Sequence, residues 1–275
     1  MTRRAVVCVL HHRSVDTSRA DRILQSLGAE VWHHLREARA EPVTGMLRET
    51  TLVLTMGGDG TFLYGARLAV GAGIPVLGVN LGRLGFLTEL QAGGLEDGIR
   101  RFFAGDYRLE ERTVLHNQLG SQRSLGINEV MLHRSPSLKL IRFAMSVDGQ
   151  DIGTIDADGV LVATATGSTA YALALGGPIL EPTLADLVLV PMNPFALTVR
   201  PIVLAPGAEV RVTLAGNPAT IVTDGYMTWT ADENTMLTIR AYRRRLKVVR
   251  FSSAAQFYAV LRSKVGWGAP LVPRP

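Results

Sequence analysis

The first hundred residues alternate between short apolar runs and segments whose apolar residues recur with a helical period. Four apolar runs are typical of buried strands and lie at residues 6–10, 29–32, 51–56 and 75–79. Helices are predicted at residues 19–27 and 61–70, each followed by glycine. The strand, helix and strand between residues 51 and 79 form one βαβ unit, which implies a parallel sheet.

A different pattern begins after a helical stretch at residues 95–103. Apolar and polar positions alternate from there, with Asp-Gly turns at 148–149 and 224–225, which predicts strands and hairpins. Examples of these strands are residues 201–204, 209–214 and 236–239. A helical period returns at residues 257–265. We therefore predict an α/β domain at residues 1–104, a β-rich domain at 105–250 and a C-terminal helix and tail at 251–275.

Composition agrees with two globular domains, because 47% of the 275 residues are hydrophobic and 19% are charged. The net charge of +5 is spread along the chain, except for the Arg-Arg-Arg run at 243–245, and only 6% of residues are aromatic. This pattern favours an anionic small substrate over nucleic acid. No apolar stretch reaches the roughly 20 residues of a membrane span, and the N-terminus lacks a cleavage-site pattern, so we expect no membrane association and a cytoplasmic location.

The residue types that usually bind metals give no ligand set. Cys8 is the single cysteine, so an internal disulfide is excluded, and its apolar neighbours predict a buried strand position. None of the six histidines shows the i, i+4 spacing of a helical zinc site; they are His11, His12, His33, His34, His116 and His133. We interpret them as surface or strand-end residues and predict no metal ligands in the chain.

The segment Gly57-Gly58-Asp59-Gly60-Thr61 follows the strand at 51–56 directly. Glycines let backbone N–H groups approach phosphate oxygens, and a following helix adds a partly positive N-terminus. A carboxylate in such a place implies a divalent cation or a hydroxyl group to be phosphorylated. The same residues also suit an ordinary strand-to-helix turn, and the fingerprints of P-loops and dinucleotide turns are missing. Phosphoryl transfer is the more specific hypothesis.

Three further motifs follow in order, at Asn128-Glu129, at residues 158–171 and at the Gly-Gly-Pro-Ile segment 176–179. With these motifs the chain resembles an NAD kinase from about residue 51 through 200–203 to 261–267. The resemblance implies a Rossmann-like α/β N-terminal domain with a parallel sheet and a C-terminal β-sandwich domain. It also implies a last helix that returns to the first domain, a substrate site between the domains, and a homodimer or homotetramer.

The activity implied by the resemblance is transfer of a phosphoryl group from ATP, or from polyphosphate, to the 2′-hydroxyl of the adenosine ribose of NAD. A divalent cation such as Mg²⁺ takes part, and the product is NADP. Carried over by motif, Asp59 is the proton acceptor, and Gly57, Gly58 and Gly60 bind phosphates. Further substrate contacts are expected at Thr61, Phe86, Asn128, Glu129, Lys139, Asp156, Asp158, Thr169, Ala170, Tyr171, Ala174 and Asn193.

Some of these residues support the same interpretation without the resemblance. A carboxylate beside an amide, as in Asn128-Glu129, suits the two hydroxyls of a ribose, although an isolated Asn-Glu pair also fits a surface turn. Tyr171 and Phe86 suit either stacking on a base or packing in a core.

The sequence departs from the family pattern at several positions. Ala165 replaces a usual Pro, Ala174 stands where Ser is common, and Asp156 occupies a position that is often basic in bacterial members. Residues 192–198 replace a more usual Pro-His-Ser-Leu-Ser stretch. These changes leave the choice between NAD and NADH open.

Two rival functions share parts of this pattern. Diacylglycerol-type lipid kinases also carry a Gly-Gly-Asp-Gly-Thr loop, but they continue with a Gly-Thr-x-Asn-Asp segment, whereas this chain has Asn-Leu-Gly-Arg-Leu-Gly-Phe at 80–86. A non-catalytic NAD-binding regulator on the same scaffold would be indicated by loss of Asp59, which is present. Both differences favour the NAD kinase.

Overall fold

The computed structural model describes residues 5–36, 46–82, 85–135, 139–251 and 255–268. It divides the chain into a first unit of residues 1–110 and 246–275 and a second unit of residues 111–245. Residues 105–110 and 246–250, which the sequence assigned to the second domain, thus group with the first unit. Within the part of the chain that the structure describes, no helix has the length and apolar character needed to cross a membrane.

The strands are β1 (Val6–His11), β2 (Glu30–Leu35), β3 (Leu52–Gly57), β4 (Val76–Asn80), β5 (Leu90–Gln91), β6 (Arg108–Arg112), β7 (Leu115–Leu119), β8 (Gln122–Gly126), β9 (Glu129–Arg134), β10 (Ile141–Val147), β11 (Gln150–Ala157), β12 (Gly159–Thr164), β13 (Leu187–Met192), β14 (Ile202–Leu204), β15 (Glu209–Leu214), β16 (Ala219–Thr223), β17 (Met227–Ala231), β18 (Met236–Ala241) and β19 (Leu246–Arg250). The α-helices are α1 (Ser18–Ser26), α2 (Asp59–Ala72), α3 (Leu95–Ala104), α4 (Tyr171–Ala174) and α5 (Ala255–Val265). Short 3₁₀ turns lie at Met46–Arg48, Ala92–Gly94 and Gly167–Thr169.

The first unit is built on a seven-stranded sheet in the order β2-β1-β3-β4-β19-β6, with β5 paired to β4. The pairs β1–β2, β1–β3 and β3–β4 are parallel, as the predicted βαβ unit requires. Leu24 of α1 and Ile99 of α3 pack with Val9 and Leu54 of the sheet in one core. Cys8 is fully buried in β1, and burial raises the pKa of its thiol to about 12, so it acts as a packing residue.

The second unit contains two six-stranded antiparallel sheets, which we name the second and third sheets. The second sheet has the order β11-β10-β15-β18-β7-β8, and the third has the order β14-β13-β12-β9-β16-β17. Alternate residues of both sheets, such as Phe143 and Ile239 of the second and Leu132 and Val162 of the third, share one buried core. On its other face the third sheet packs against Ala172 of α4. A parallel sheet with helices, followed by antiparallel sheets, confirms the predicted fold class at this level.

Both predicted Asp-Gly turns are hairpins. Asp148 and Gly149 connect β10 to β11 with φ values of +50° and +79°, and Asp224 and Gly225, followed by Tyr226, connect β16 to β17 with φ values of +48° and +65°. Positive φ at both central residues is typical of a type I′ turn, which Asp-Gly favours.

Candidate active site

The Gly-Gly-Asp-Gly-Thr segment joins β3 to α2 and is tighter than the sequence predicts. β3 ends at Gly57 and α2 begins at Asp59, so Gly58 alone separates them and Asp59 lies in the first helical turn. A Cβ on Gly57 would collide with the side chain of Thr61, whereas a Cβ on Gly58 would meet no atom within 4 Å. Glycine at 57 therefore permits the tight turn, and Gly58 leaves open space at the positive end of the helix.

The carboxylate of Asp59 is held by backbone amides at the end of residues 80–86, which we name the second loop. Phe86 N–H donates to Oδ2 at 3.0 Å, and Leu87 N–H donates to Oδ1 at 3.2 Å. Gly85 lies against the same carboxylate so closely that a Cβ would collide with it. Phe86, expected from the sequence to contact substrate, thus contributes its amide to the position of Asp59, while its side chain is half-buried.

A buried ion cluster fixes this backbone segment. Arg250 at the end of β19 donates to the carbonyl of Leu87 at 3.3 Å and forms ion pairs with Glu89 at 2.9 Å and Glu110 at 3.2 Å. All three charged side chains are at least nine-tenths buried. Because Leu87 also holds Asp59, the cluster positions the carboxylate indirectly.

The strand ends bring the two loops of the first unit together, as the regular crossover predicts. Gly57 pairs with Asn80, and Leu81 N–H donates to the carbonyl of Gly57 at 3.3 Å. The Asn80 side chain accepts a hydrogen bond from Gly82 N–H at 2.7 Å. Residues 83 and 84 of the second loop lie outside the described residues.

The positively charged side chain of Arg36 lies next to the glycine loop. The guanidinium of Arg36 lies over Gly60, where an added Cβ would be 3.3 Å from its Nη2 atom. Sequence reasoning missed Arg36, because it precedes Gly60 by 24 residues and no local pattern connects the two. Its charge and the helix N-terminus both favour phosphate at Gly58 and Gly60.

In the second unit, Asn128 and Glu129 form the turn that enters β9, and Asp224 holds that turn. The Asp224 carboxylate accepts hydrogen bonds from the N–H groups of Ile127 at 2.8 Å, Asn128 at 2.8 Å and Glu129 at 3.1 Å. Sequence reasoning identified Asp224 only as a turn residue, since its partners lie about a hundred residues away in the chain.

The Thr-Ala-Thr-Gly-Ser-Thr segment supports the same turn from the other side. Thr164 Oγ1 donates to the carbonyl of Ile127 at 2.7 Å and accepts Gly167 N–H at 3.0 Å. A Cβ on Gly167 would collide with the carbonyl of Asn128, so glycine is required at this contact. The motif residues therefore form the support of the Asn128-Glu129 turn.

Two side chains on this turn carry buried oxygen atoms that have no hydrogen-bond partner among the described residues. These atoms are Asn128 Oδ1 and Glu129 Oε2. Burial, and then the charge of Asp224, raise the pKa of Glu129 to about 8. Buried acceptors without partners are costly, so their presence indicates a ligand that donates hydrogen bonds there.

Other predicted substrate residues gather around an open cavity of about 500 Å³ in the second unit. Its lining includes Asp158, Tyr171, Asn193, His133 and Arg134. Asp158 accepts hydrogen bonds from Asn193 at 3.0 Å and Arg134 at 2.6 Å, and both interactions hold its pKa below the usual value. Tyr171 is 44% exposed, so its ring faces open space.

The remaining predicted residues of the second unit lie elsewhere. Asp156 forms a bidentate ion pair with Arg142 at 2.7 and 2.9 Å, which lowers the pKa of Asp156. Ala174 lines another cavity, of about 440 Å³, together with Asn193. Thr169 belongs to the 3₁₀ turn before α4, Ala170 is the N-cap of α4, and Lys139 is exposed before β10.

The described residues offer no ligand set for a resident metal. Among them, no group of three or more His, Cys, Asp or Glu side chains is placed to hold an ion. The Asp59 carboxylate is already engaged by two backbone amides. It keeps further acceptor capacity, because an ionised carboxylate has about four lone-pair sites.

Comparison with known proteins identifies relatives of both parts of the chain. Residues 28–107 match the ATP-NAD kinase N-terminal domain, and residues 127–251 match the ATP-NAD kinase C-terminal domain. A protein of Gemmatimonas aurantiaca named NAD kinase is 41% identical over 224 residues, which cover 78% of this chain and 77% of that protein.

Two solved structures have the same fold. An NAD kinase from Archaeoglobus fulgidus in complex with ATP aligns with a TM-score of 0.77 at 26% identity, over 93% of this chain and 97% of that chain. Yeast NADH kinase in complex with NADH aligns with a TM-score of 0.88 over 100% of this chain and 91% of that chain, and at 21% identity it supports the fold alone.

Proposed function

Because the chain belongs to the NAD kinase family, we propose that it transfers the γ-phosphoryl group of ATP, or a phosphoryl group of polyphosphate, to the 2′-hydroxyl of the adenosine ribose of NAD. The observation that carries this proposal is the pair of buried acceptors Asn128 Oδ1 and Glu129 Oε2. Two neighbouring acceptors match the two hydroxyls of a ribose. The comparisons do not support a lipid kinase or a non-catalytic regulator.

Asp59 is the proposed proton acceptor. The 2′-oxygen forms a bond to phosphorus, the bond from phosphorus to the leaving phosphate breaks, and the hydroxyl proton passes to Asp59. The amides of Phe86 and Leu87 hold its carboxylate in one orientation before substrate binds. Phosphoryl transfer through a loose transition state asks little of a base, so Asp59 chiefly orients the hydroxyl and accepts its proton late.

The glycine loop is the proposed site of the donor phosphates. Gly57, Gly58 and Gly60 let the backbone approach them, Thr61 lies in the first turn of α2, and Arg36 supplies a positive charge. A divalent cation such as Mg²⁺, bound to the donor phosphates, would neutralise part of their charge.

Asn128 and Glu129 are proposed to bind the ribose of NAD, and the cavity beside Asp158, Tyr171 and Asn193 to accept another part of the dinucleotide. Exposure of Tyr171 favours the stacking role for its ring over packing in the core. Contacts at Phe86, Lys139, Asp156, Thr169, Ala170 and Ala174 remain proposals carried over from the family pattern.

One crossed assay tests the activity and the substrate choice together. Purified protein is incubated with Mg²⁺ and either ATP or polyphosphate, and with either NAD or NADH, and formation of NADP or NADPH is measured. Product in at least one combination, abolished by a chelator, is expected. Absence of product in all four, from a protein that unfolds cooperatively, would overturn the proposal.

Glu129→Ala tests the ribose contact. We expect KM for NAD to rise while kcat changes little, because a contact present before and during transfer contributes uniform binding. Loss of one hydrogen bond to this buried carboxyl group costs about 1.5–3 kcal/mol, or about tenfold to a hundredfold in kcat/KM. Glu233→Ala, at an exposed glutamate of the same unit, is the control. Unchanged kinetics with NAD would remove Glu129 from the site.

We also propose that the protein is a homodimer or homotetramer in the cytoplasm. An exposed apolar segment of the second unit, which includes Phe195 and Leu197, supports association. Cell fractionation tests the location.

A further inference from the structure

The Arg-Arg-Arg run at 243–245 has no role in the proposed site. Its first residue lies two positions after the end of β18, at the edge of an open cavity of about 310 Å³. The residues that line this cavity are His116, Arg240, Ala241, Tyr242 and Arg243. None of them is among the residues assigned above to phosphoryl transfer or to NAD.

Strand pairing places basic side chains at and beside this cavity close to each other. Arg240 of β18 is directly opposite His116 of β7, and Arg123 of β8 is opposite Gln118, two residues further along β7. The neighbours of His116 in β7, Leu115 and Asn117, are fully buried. Because side chains alternate along a strand, His116 and Arg240 point from the face of the second sheet that is turned away from the core.

Little negative charge on this face compensates them. Arg123 and Arg243 form no ion pair with any residue that the structure describes. Arg240 approaches Glu209 only to 3.8 Å, and the same carboxylate is 2.7 Å from Arg211. Burial, and then the charges of Arg240 and Arg123, lower the pKa of His116, which agrees with an uncompensated positive field at the ring.

The cavity also has an aromatic wall. The rings of His116 and Tyr242 are stacked at 25°, with their centroids 6.2 Å apart. Guanidinium groups donate paired hydrogen bonds to phosphate oxygens, and a flat ring beside them can stack on the base of a nucleotide.

We propose that this cavity binds the phosphate groups of a small polyanion, a chemistry shared by inorganic polyphosphate and by nucleoside di- and triphosphates. The anion lies between Arg240 and Arg243 and against His116, where it compensates the charges of the two guanidinium groups and favours the protonated ring. It is an anion site of the second unit additional to the residues proposed for transfer.

The His116 imidazole reports on this site directly. Its proton resonance, assigned by its loss in His116→Gln, is titrated with pH in the presence and absence of metal-free tripolyphosphate at constant ionic strength. Binding is expected to raise the pKa of His116 by about 0.5–1, because a nearby opposite charge favours the protonated ring. An unchanged His116 pKa would overturn the proposal.

Matched charge variants separate a built site from general surface charge. The double variant Arg240→Gln, Arg243→Gln should weaken tripolyphosphate binding, read from His116, by about tenfold or more, since it removes two charge-assisted contacts. Arg142→Gln is the control, because it removes the same charge from the same sheet, where Arg142 pairs with Asp156. Its expected effect is less than about twofold. Equal weakening by both variants would mean diffuse attraction and would contradict the proposal.

The source of the phosphates is distinguished with ADP. If Tyr242→Leu weakens ADP binding and leaves tripolyphosphate binding unchanged, the site takes a nucleotide that stacks on the ring. If Tyr242→Leu changes the affinity for neither ADP nor tripolyphosphate, the ring is not used and the site takes inorganic polyphosphate.

Discussion

Asp59 combines a fixed orientation with an open approach. Its two oxygens accept the N–H groups of Phe86 and Leu87, and Gly58 beside it carries no side chain into the space at the helix end. The sequence predicts Asp59 as the proton acceptor from the motif, because the glycines are its neighbours in the chain. Its partners could not be predicted, since they lie 27 and 28 residues away and the contact depends on how the two loops meet.

Asp59→Asn should lower kcat by about 10²–10⁴, the usual range for a positioned acid or base, while KM for NAD changes only a few-fold. The amide preserves the shape but loses the charge and one acceptor for the two backbone N–H groups. Steady-state kinetics of NADP formation measure the effect. Asp97→Asn is a matched control, since Asp97 also lies in the first turn of a helix of the first unit. Turnover by the folded Asp59→Asn protein within a few-fold of the parent would exclude Asp59 as the acceptor.

Glu129 makes stability depend on pH. In the folded chain it keeps its proton up to about pH 8, whereas its ordinary pKa is 4.5, so between these values the folded state binds more protons than the unfolded state. The free energy of unfolding therefore falls as pH rises through this window. At about 1.4 kcal/mol for each pH unit, the upper bound is about 5 kcal/mol, and solvent screening reduces it.

Glu129→Gln removes this dependence because an amide has no proton to lose. Thermal melts of the ligand-free proteins should show the variant gaining stability relative to the parent between pH 5 and pH 9. The exposed Glu233→Gln serves as the reference and should follow the parent at every pH. If Glu129→Gln also follows the parent, Glu129 is not buried as a neutral acid.

At the scale of elements, the hairpin of β16 and β17 is a structural support for the turn before β9. The sequence predicts this hairpin, because Asp-Gly favours a type I′ turn. Its support of residues 127–129 could not be predicted, since the side chain of Asp224 reaches Ile127 across 97 residues of chain. Gly167 is a similar case, because only the packed structure shows that a Cβ there would collide with Asn128.

Asp224→Asn should raise KM for NAD by about tenfold or more and cost about 1–3 kcal/mol of stability, because three backbone N–H groups lose a charged acceptor. It should also lower the pKa of Glu129, since the charge of Asp224 contributes to raising it. Kinetics and melts across the pH range measure both effects.

The control for Asp224→Asn is Asp148→Asn. Asp148 opens the other Asp-Gly turn with φ of +50° and accepts one backbone N–H, from Glu209 at 2.9 Å. Asn tolerates the left-handed backbone at both positions, so the turns themselves are preserved. Equal kinetic effects of the two substitutions would show that Asp224 has no special role in placing Asn128 and Glu129.

For the whole molecule, the hydrophobic periodicity of the sequence predicts an α/β domain followed by a β-rich domain. It does not predict which strands pair with each other. Residues 246–250 resemble the alternating strands before them, and the sequence therefore assigned them to the second domain. The structure pairs Val248 with Val76 of β4, so β19 belongs to the first sheet. A strand's own pattern shows which of its faces are buried, and not which sheet it joins.

The second unit exposes apolar side chains close together in sequence around β13 and β14. Phe195 is 79% exposed, Leu197 is 83% exposed, and Ile202 and Val203 of β14 are nearly half exposed. β14 is also the edge strand of the third sheet. Exposed apolar segments and unpaired strand edges favour association with another chain, and identical chains most often form closed symmetric assemblies.

We therefore expect a homo-oligomer in which this segment contacts a second copy. Light scattering of the parent at micromolar concentration should give a dimer or tetramer mass, and the double variant Phe195→Asp, Leu197→Asp should shift it toward the monomer because two charges would be buried in the contact. Met236→Asp is the control, since Met236 is 48% exposed on β18, an internal strand of the second sheet. A parent that is monomeric and fully active would contradict the expectation. An oligomer that both variants leave intact would place the contact on another surface of the chain.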